Sequence, residues 1–242
     1  DTLSTEKASK VCLVLHTDKV DQNGTDLPAV KKAICPEYNI KFTDGKLDIK
    51  YLNYLYNVAN LTCQPSTAEG FGLSVCESLM AGTPILATCI GGLQDQMGFK
   101  KEDGSYLTEK DYSADWPSNS DGKYKNHGEW AFPIWPTITL QGSPQTPYIY
   151  DSIPSIKDIA SRIKEAYNLK GEELTKRGIA GRNFVTSKNS MMTAKFMGEN
   201  TIKSIDNLFD NWKPRKRYSV IDLINEPEIK YPSGLILNSE VI

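Results

Sequence analysis

The sequence predicts an α/β fold in which a parallel sheet carries helices on both faces. Three observations predict it. Short apolar runs alternate with amphipathic stretches through the first hundred residues, and strands interleaved with helices need crossovers that cover the faces of a sheet. Residues 10–15 (KVCLVL) form a short continuous apolar run, the signature of a strand buried on both faces. Gly82 and Pro84 punctuate the chain between one apolar helical stretch and the next strand-like run.

Taken in order, residues 10–15 are the first strand. A polar loop over 16–26 contains Asn23 and Gly24, and Asp26 caps a helix over LPAVKKAI with Pro28 near its first turn. Residues 38–42 (YNIKF) are a second strand, closed by Asp44 and Gly45. Residues 51–59 are a helix whose Leu52, Leu55, Tyr56 and Ala59 lie on one stripe. Residues 61–64 (LTCQ) are a third strand, residues 71–81 an apolar helix capped by Gly82, and residues 85–88 (ILAT) a fourth strand. Parallel sheets hold ligands at the carboxyl ends of their strands. The loop 65–72 and the pair Gly91 and Gly92 fall there.

Residues 98–150 break the pattern. They hold Trp116, Trp130 and Trp135 and five prolines, and their periodicity vanishes. The aromatic content argues against disorder. The favoured reading is an irregular insertion packed on its own rings; the sharper one is a lid or carbohydrate platform beside the ligand site. Helices return at Ser155, with Ile156, Ile159, Ile163 and Ala166 at helical spacing. A second helical stretch, 172–185, reads as interrupted near Gly178 and Gly181, and a third spans 190–209. The domain division expected is 1–212, with 98–150 inserted, followed by a tail over 213–242 whose KPRKR cluster reads as solvated.

Composition bounds the function. At 242 residues the chain builds a full core without staples, and 39% apolar with 24% charged residues excludes a disordered tail. A formal net charge of -2 argues against a nucleic-acid module. No apolar run has the length of a membrane span, and the first ten residues lack a signal peptide's apolar core. Five scattered cysteines without a CxxC pair, four of them in apolar or strand-like surroundings, read as buried free thiols. A reducing, cytoplasmic compartment is therefore expected, and no zinc site.

The stretch that carries chemistry is 64–77, QPSTAEGFGLSVCE. It reads as a strand end, a glycine-bearing loop and a helix start. Gly70 and Gly72 let the backbone approach a ligand closely. The first turn, Gly72 to Ser74, offers unpaired N–H groups and the positive end of a helix dipole, which suits a phosphate. Ser74 adds a hydroxyl donor. Glu77 sits one turn along, where an acid can accept hydrogen bonds from a ribose diol. Glu69, eight positions earlier, can accept from a second sugar beyond the phosphates. The plain alternative is that both acids are solvated or capping groups on a common strand-loop-helix unit.

EGFGLSVCE resembles the E-x7-E signature of retaining GT-B-fold glycosyltransferases, in particular the large family-four group, the glycosyl transferases group 1 type. The surrounding LYNVANLTCQPSTAEGFGLSVCESLMAGTPILATCIGGLQDQM is similar to that family's helix, strand, P-S-x-x-E-G-F-G, helix, G-x-P-V-V-A-T and G-G order. The resemblance covers residues 10–97 well and 155–205 only as a generic helical ending. It implies the Rossmann-like, C-terminal half of a GT-B fold, the half that binds a nucleoside diphosphate sugar as donor.

Several roles follow from the resemblance. Glu69 would contact hydroxyls of the donor sugar and Gly70, Phe71 and Gly72 would line that sugar. Leu73 and Ser74 would meet the diphosphate, Glu77 the ribose, and Phe42, Thr43, Asp44 and Gly45 the base. The implied reaction moves a sugar to a carbohydrate or other acceptor with retention, without a metal or other cofactor. The family's Arg and Lys clamp on the diphosphate has no match here, nor has the acceptor domain that precedes the donor domain. The expectation is a C-terminal part of a longer enzyme, inactive alone, with an earlier strand belonging between the strands at 10–15 and 61–64. Residues 137–140, 219–223 and 235–237 are weak substitutes for it. Two rivals are a GT-B-fold sugar-nucleotide epimerase and a non-catalytic nucleotide-sugar binding module.

Overall fold

The structure is a computed structural model that describes residues 5–22, 24–43 and 45–214. The chain divides into two compact units between Met197 and Gly198. The first opens with a short helix, α1 (Thr5–Ala8), and then alternates strands and helices: β1 (Leu13–Leu15), α2 (Leu27–Ile34), β2 (Ile40–Phe42), α3 (Ile49–Val58), β3 (Thr62–Gln64), α4 (Leu73–Ala81), β4 (Ile85–Thr88) and α5 (Gly91–Gln96). After the segment that follows α5 come β5 (Ala131–Ile134), β6 (Thr137–Ser143), β7 (Thr146–Ile153), α6 (Ile156–Asn168) and α7 (Gly171–Val185). The last helix, α8 (Ala194–Asn211), carries the chain into the second unit, whose described residues are that helix from Gly198 on and the three residues that follow it.

The α/β architecture with parallel pairing is the one the sequence predicts. β1 pairs with β2, and β3, β4 and β5 form a three-stranded sheet in that order, all parallel. β4 is buried along its length because it has a partner on each side and packing on each face. Ile85 and Ala87 pack with Val75, Leu79, Trp130 and Phe184, on the side of α4 and α7. Leu86 points the other way, to Phe132, Ile134 and the Ala166, Ile159 and Ile163 stripe of α6.

Local signals explain the helix ends. Asp26 Oδ1 accepts from Ala29 N at 2.9 Å, and Pro28 lies at the start of α2. Gly82 ends α4 at φ 87°, and its N–H is shared between the carbonyls of Leu79 and Ser78.

Four expectations need correction. Residues 10–15 are not buried on both faces: Leu13 is 44% and Val14 43% exposed. Burial of a strand needs neighbours, and neither α2 nor α3 contributes a buried residue. Among the described residues β1 pairs on one edge only, as does β3. Cys12 and Cys63, on or beside these strands, are exposed for the same reason, and only Cys76 and Cys89 are buried; all five thiols are free.

The segment 98–150 is irregular only in part. It contains β5, a fully buried strand of the main sheet, and most of the antiparallel hairpin β6–β7. Residues 137–140 lie in that hairpin and pair with β7, not with β1 or β3. Residues 219–223 and 235–237 lie outside the described residues.

α7 is continuous. Gly178 and Gly181 do not interrupt it; a Cβ on Gly178 would collide with the carbonyl of Gly82, and one on Gly181 would crowd Leu79 and Trp130. The two glycines let α7 lie against the end of α4.

The tryptophans of the inserted segment are all engaged with the protein. Tyr112 stacks on Trp116 with centroids 5.1 Å apart, the Lys123 ammonium lies 4.5 Å from the same ring, and its Nε1 donates to Asp121. Trp130 is buried, stacks on Phe184 and donates to the Gln96 carbonyl. Trp135 packs beside Phe99. Buried Asn119 closes the loop on Tyr124 and donates its backbone N–H to Gln94 Oε1, which fastens the segment to α5. The part around Trp116 packs on its own rings, whereas Trp130 belongs to the main core.

Candidate functional site

The motif residues occupy the turn from β3 into α4, at the carboxyl end of a parallel strand. Gly72 is the residue before the helix and has φ 83° and ψ 61°, a left-handed conformation that favours glycine. A Cβ there would also strike the Leu93 side chain. The amides of Leu73 and Ser74 make no hydrogen bond among the described residues, as the first turn of a helix leaves them. Leu73 is exposed and Ser74 half-buried.

The loop is held from the other side by α5. Gly92 N donates to Gly70 O at 2.7 Å. Side chains at Gly91 or Gly92 would press on the backbone of Glu69, Gly70 and Phe71. Gln96, fully buried, donates through Nε2 to the carbonyls of Phe71 (2.6 Å) and Gly72 (3.2 Å). The glycine pair and this amide fix the course of the loop on which Glu69 stands. Gly70 faces open space, with no heavy atom within 4 Å of where its Cβ would stand.

The side chains of the motif form a network centred on Gln64. Its Nε2 donates to Ser66 Oγ at 2.8 Å and to Glu69 Oε2 at 3.4 Å, and its Oε1 accepts from Ser74 Oγ at 3.2 Å. Glu69 Oε1 also accepts from Gly70 N at 3.1 Å. The acid of the loop and the hydroxyl of the helix start are thus joined through one amide. On the next turn Glu77 is exposed and accepts from Tyr56 Oη at 3.0 Å. Burial of the phenol, then its hydrogen bond to Glu77 and the nearby charge, push the Tyr56 pKa well above its ordinary value. No lysine or arginine pairs with Glu69 or Glu77 among the described residues.

Glu69, Gly70, Phe71, Gly72, Leu73, Ser74 and Glu77 therefore lie on one strand-loop-helix element. The base candidates do not join them. Phe42 ends β2 in the other parallel sheet and Thr43 and Gly45 follow it, where Thr43 Oγ1 meets His16 Nδ1 at 2.6 Å. Among the described residues no hydrogen bond or ring contact connects them to the motif, and Asp44 lies outside those residues. Sequence reasoning gave no role to Gln64, Gln96 or Tyr56. A glutamine ending an otherwise apolar strand is the one signal that marked Gln64; Tyr56 and Gln96 read as an ordinary stripe residue and an ordinary helix residue.

The arrangement offers amides, one hydroxyl and two acids along some two turns of backbone. It suits a ligand with a central anion flanked by hydroxyl-rich groups. No cluster of three or more His, Cys, Asp or Glu able to hold a metal occurs among the described residues, and no helix of these residues is long and apolar enough to cross a membrane.

No curated protein matches the chain. Residues 36–114, about a third of the chain, match the family model described as glycosyl transferases group 1. That span runs from α2's end through β3, α4 and α5 and contains every residue of the network centred on Gln64. Over residues 36–114, which lie on a parallel α/β scaffold, the chain is similar to the glycosyl transferases group 1 family.

Proposed function

We propose that the protein binds a nucleoside diphosphate sugar on the β3–α4 element and serves its transfer, with retention, to a carbohydrate or other acceptor. The observation that carries the reading is the left-handed Gly72 opening α4 between two acids that no cation pairs. In this reading the free amides of Leu73 and Ser74 take the diphosphate. Glu69 takes hydroxyls of the donor sugar, lined by the backbone of Gly70, Phe71 and Gly72, and Glu77 takes the ribose. The base lies toward Phe42, Thr43, Asp44 and Gly45.

Charge develops on the leaving diphosphate as the glycosidic bond breaks, and the α4 N-terminus is aimed at it. The front-face route proposed needs no metal. The acceptor is held by a surface outside residues 1–242. The edges of β1 and β3 that no described strand covers support this, since each leaves room for a further strand. Residues 1–242 alone are therefore proposed to bind donor without transferring sugar.

The test is calorimetric titration with UDP, GDP and their sugars. Glu77→Ala is expected to weaken nucleotide binding by about 1.5–3 kcal/mol, the worth of a charge-assisted hydrogen bond. Unchanged affinity removes Glu77 from the ribose. Product analysis with the parent enzyme separates transfer from isomer interconversion.

A further inference from the structure

We propose that Tyr56 is the positioning residue for Glu77: its phenol holds one carboxylate oxygen so that the other stays directed to a ribose hydroxyl, and Tyr56 thereby governs the choice between ribo- and deoxyribonucleotides. The inference rests on the ribose role proposed for Glu77.

An exposed glutamate on a helix turns freely about three side-chain bonds. Glu77 does not, because Tyr56 Oη donates to its Oε2 at 3.0 Å. Tyrosine suits the task, since two torsions fix the position of its hydroxyl. Tyr56 is itself held. Its carbonyl accepts from Thr83 Oγ1 at 2.7 Å, and Thr83, buried, follows the Gly82 cap of α4. The end of α3 is thus tied to the end of the helix whose acid the phenol orients.

An ionised carboxylate has about four lone-pair positions, of which the phenol uses one. Oε1 accepts no hydrogen bond from the protein among the described residues. The phenol stays a donor through the neutral range, because burial and the Glu77 charge both oppose its ionisation.

The experiment measures the affinity of the full chain for UDP and GDP, each against its 2′,3′-dideoxy counterpart, in wild type and Tyr56→Phe. The wild type is expected to prefer the ribonucleotide by about tenfold, and Tyr56→Phe to lose about three- to tenfold on the ribonucleotide only. In a Glu77→Ala background Tyr56→Phe is expected to change nothing further, which keeps the test valid if the single variant is less stable. A wild type that binds neither ribonucleotide, or binds both sugar forms alike, overturns the ribose role of Glu77 and this inference with it. A discriminating wild type whose preference survives Tyr56→Phe overturns the inference alone. So does an equal loss on ribo and dideoxy forms, which marks a merely structural tyrosine.

Discussion

Gly70→Ala separates what the site needs from what the fold needs. In the free protein the new Cβ meets nothing, since no heavy atom lies within 4 Å of its position. The backbone there is outside the left-handed region, so alanine brings no strain. Replacing glycine at such a place restricts the unfolded chain and is worth about 0.4–1 kcal/mol of added stability. For a protein of this size that raises the melting temperature by about 1–4 °C.

The same Cβ projects into the space assigned to the donor sugar. Displacing the sugar by about 1 Å costs about a hundredfold in turnover of the complete enzyme, and a lost close contact of ~1.4 kcal/mol about tenfold in donor affinity. Gly92→Ala is the counterpart. Its Cβ would lie 2.8 Å from Gly70 O and Phe71 Cα and 2.9 Å from Phe71 O, all backbone atoms. Overpacking of this kind costs about 1–3 kcal/mol, so Gly92→Ala melts lower while Gly70→Ala melts higher. Differential scanning calorimetry and donor titration read the two effects separately. A Gly70→Ala protein with raised stability and undiminished affinity for nucleotide sugars refutes the placement of the sugar on this backbone.

Three further outcomes are expected. Transfer by the parent enzyme survives chelation; activity lost in chelator and regained with magnesium or manganese refutes the metal-free route. Gly178→Ala destabilises by about 1–3 kcal/mol because its Cβ meets the Gly82 carbonyl, whereas Gly198→Ala, whose Cβ meets nothing, gains about 0.5–1 kcal/mol of helix propensity; equal melting temperatures contradict the close approach of α7 to α4. The hydrogen bond from Lys101, then those from Thr108, hold the Asp111 carboxyl down to about 2, below its ordinary value near 3.8. A depressed carboxyl stabilises the fold above its unfolded pKa, and that contribution is lost as pH falls from about 4 to about 2. Melting curves of wild type and Asp111→Asn are expected to differ at pH 6 and converge toward pH 2.

Some of this was legible before any coordinates. The cap at Gly82, the proline behind it and the apolar runs on either side define α4 and β4 by local chemistry alone. The motif acids and glycines fall on one element because their spacing already sets them on one loop and one helix turn. What escaped depends on distant partners. β5 reads AFPI, a run with a proline in surroundings rich in tryptophan and proline, and only its pairing with β4 makes it a strand. Residues 10–15 carry the composition of a buried strand, but burial is a property of neighbours, and β1 has one. Gly178 and Gly181 looked like helix breakers because propensity is local, while their close packing on α4 is not. Gln64, Gln96 and Tyr56 escaped because neutral hydrogen-bonding groups follow no spacing rule; their partners lie 2 to 25 residues away.

Ser74 enters any encounter with an anion already committed. Its hydroxyl hydrogen is given to Gln64, so a phosphate that recruits it must trade one acceptor for another. The gain is only the margin by which a charged acceptor exceeds a neutral amide, about 1 kcal/mol. The trade has a second consequence. Gln64 Oε1 is released, and the amide is then held only through its nitrogen, by Ser66 and Glu69. A phosphate at the proposed anion position would therefore remove one of the three hydrogen bonds that hold the Gln64 amide, and so loosen the group that restrains Glu69.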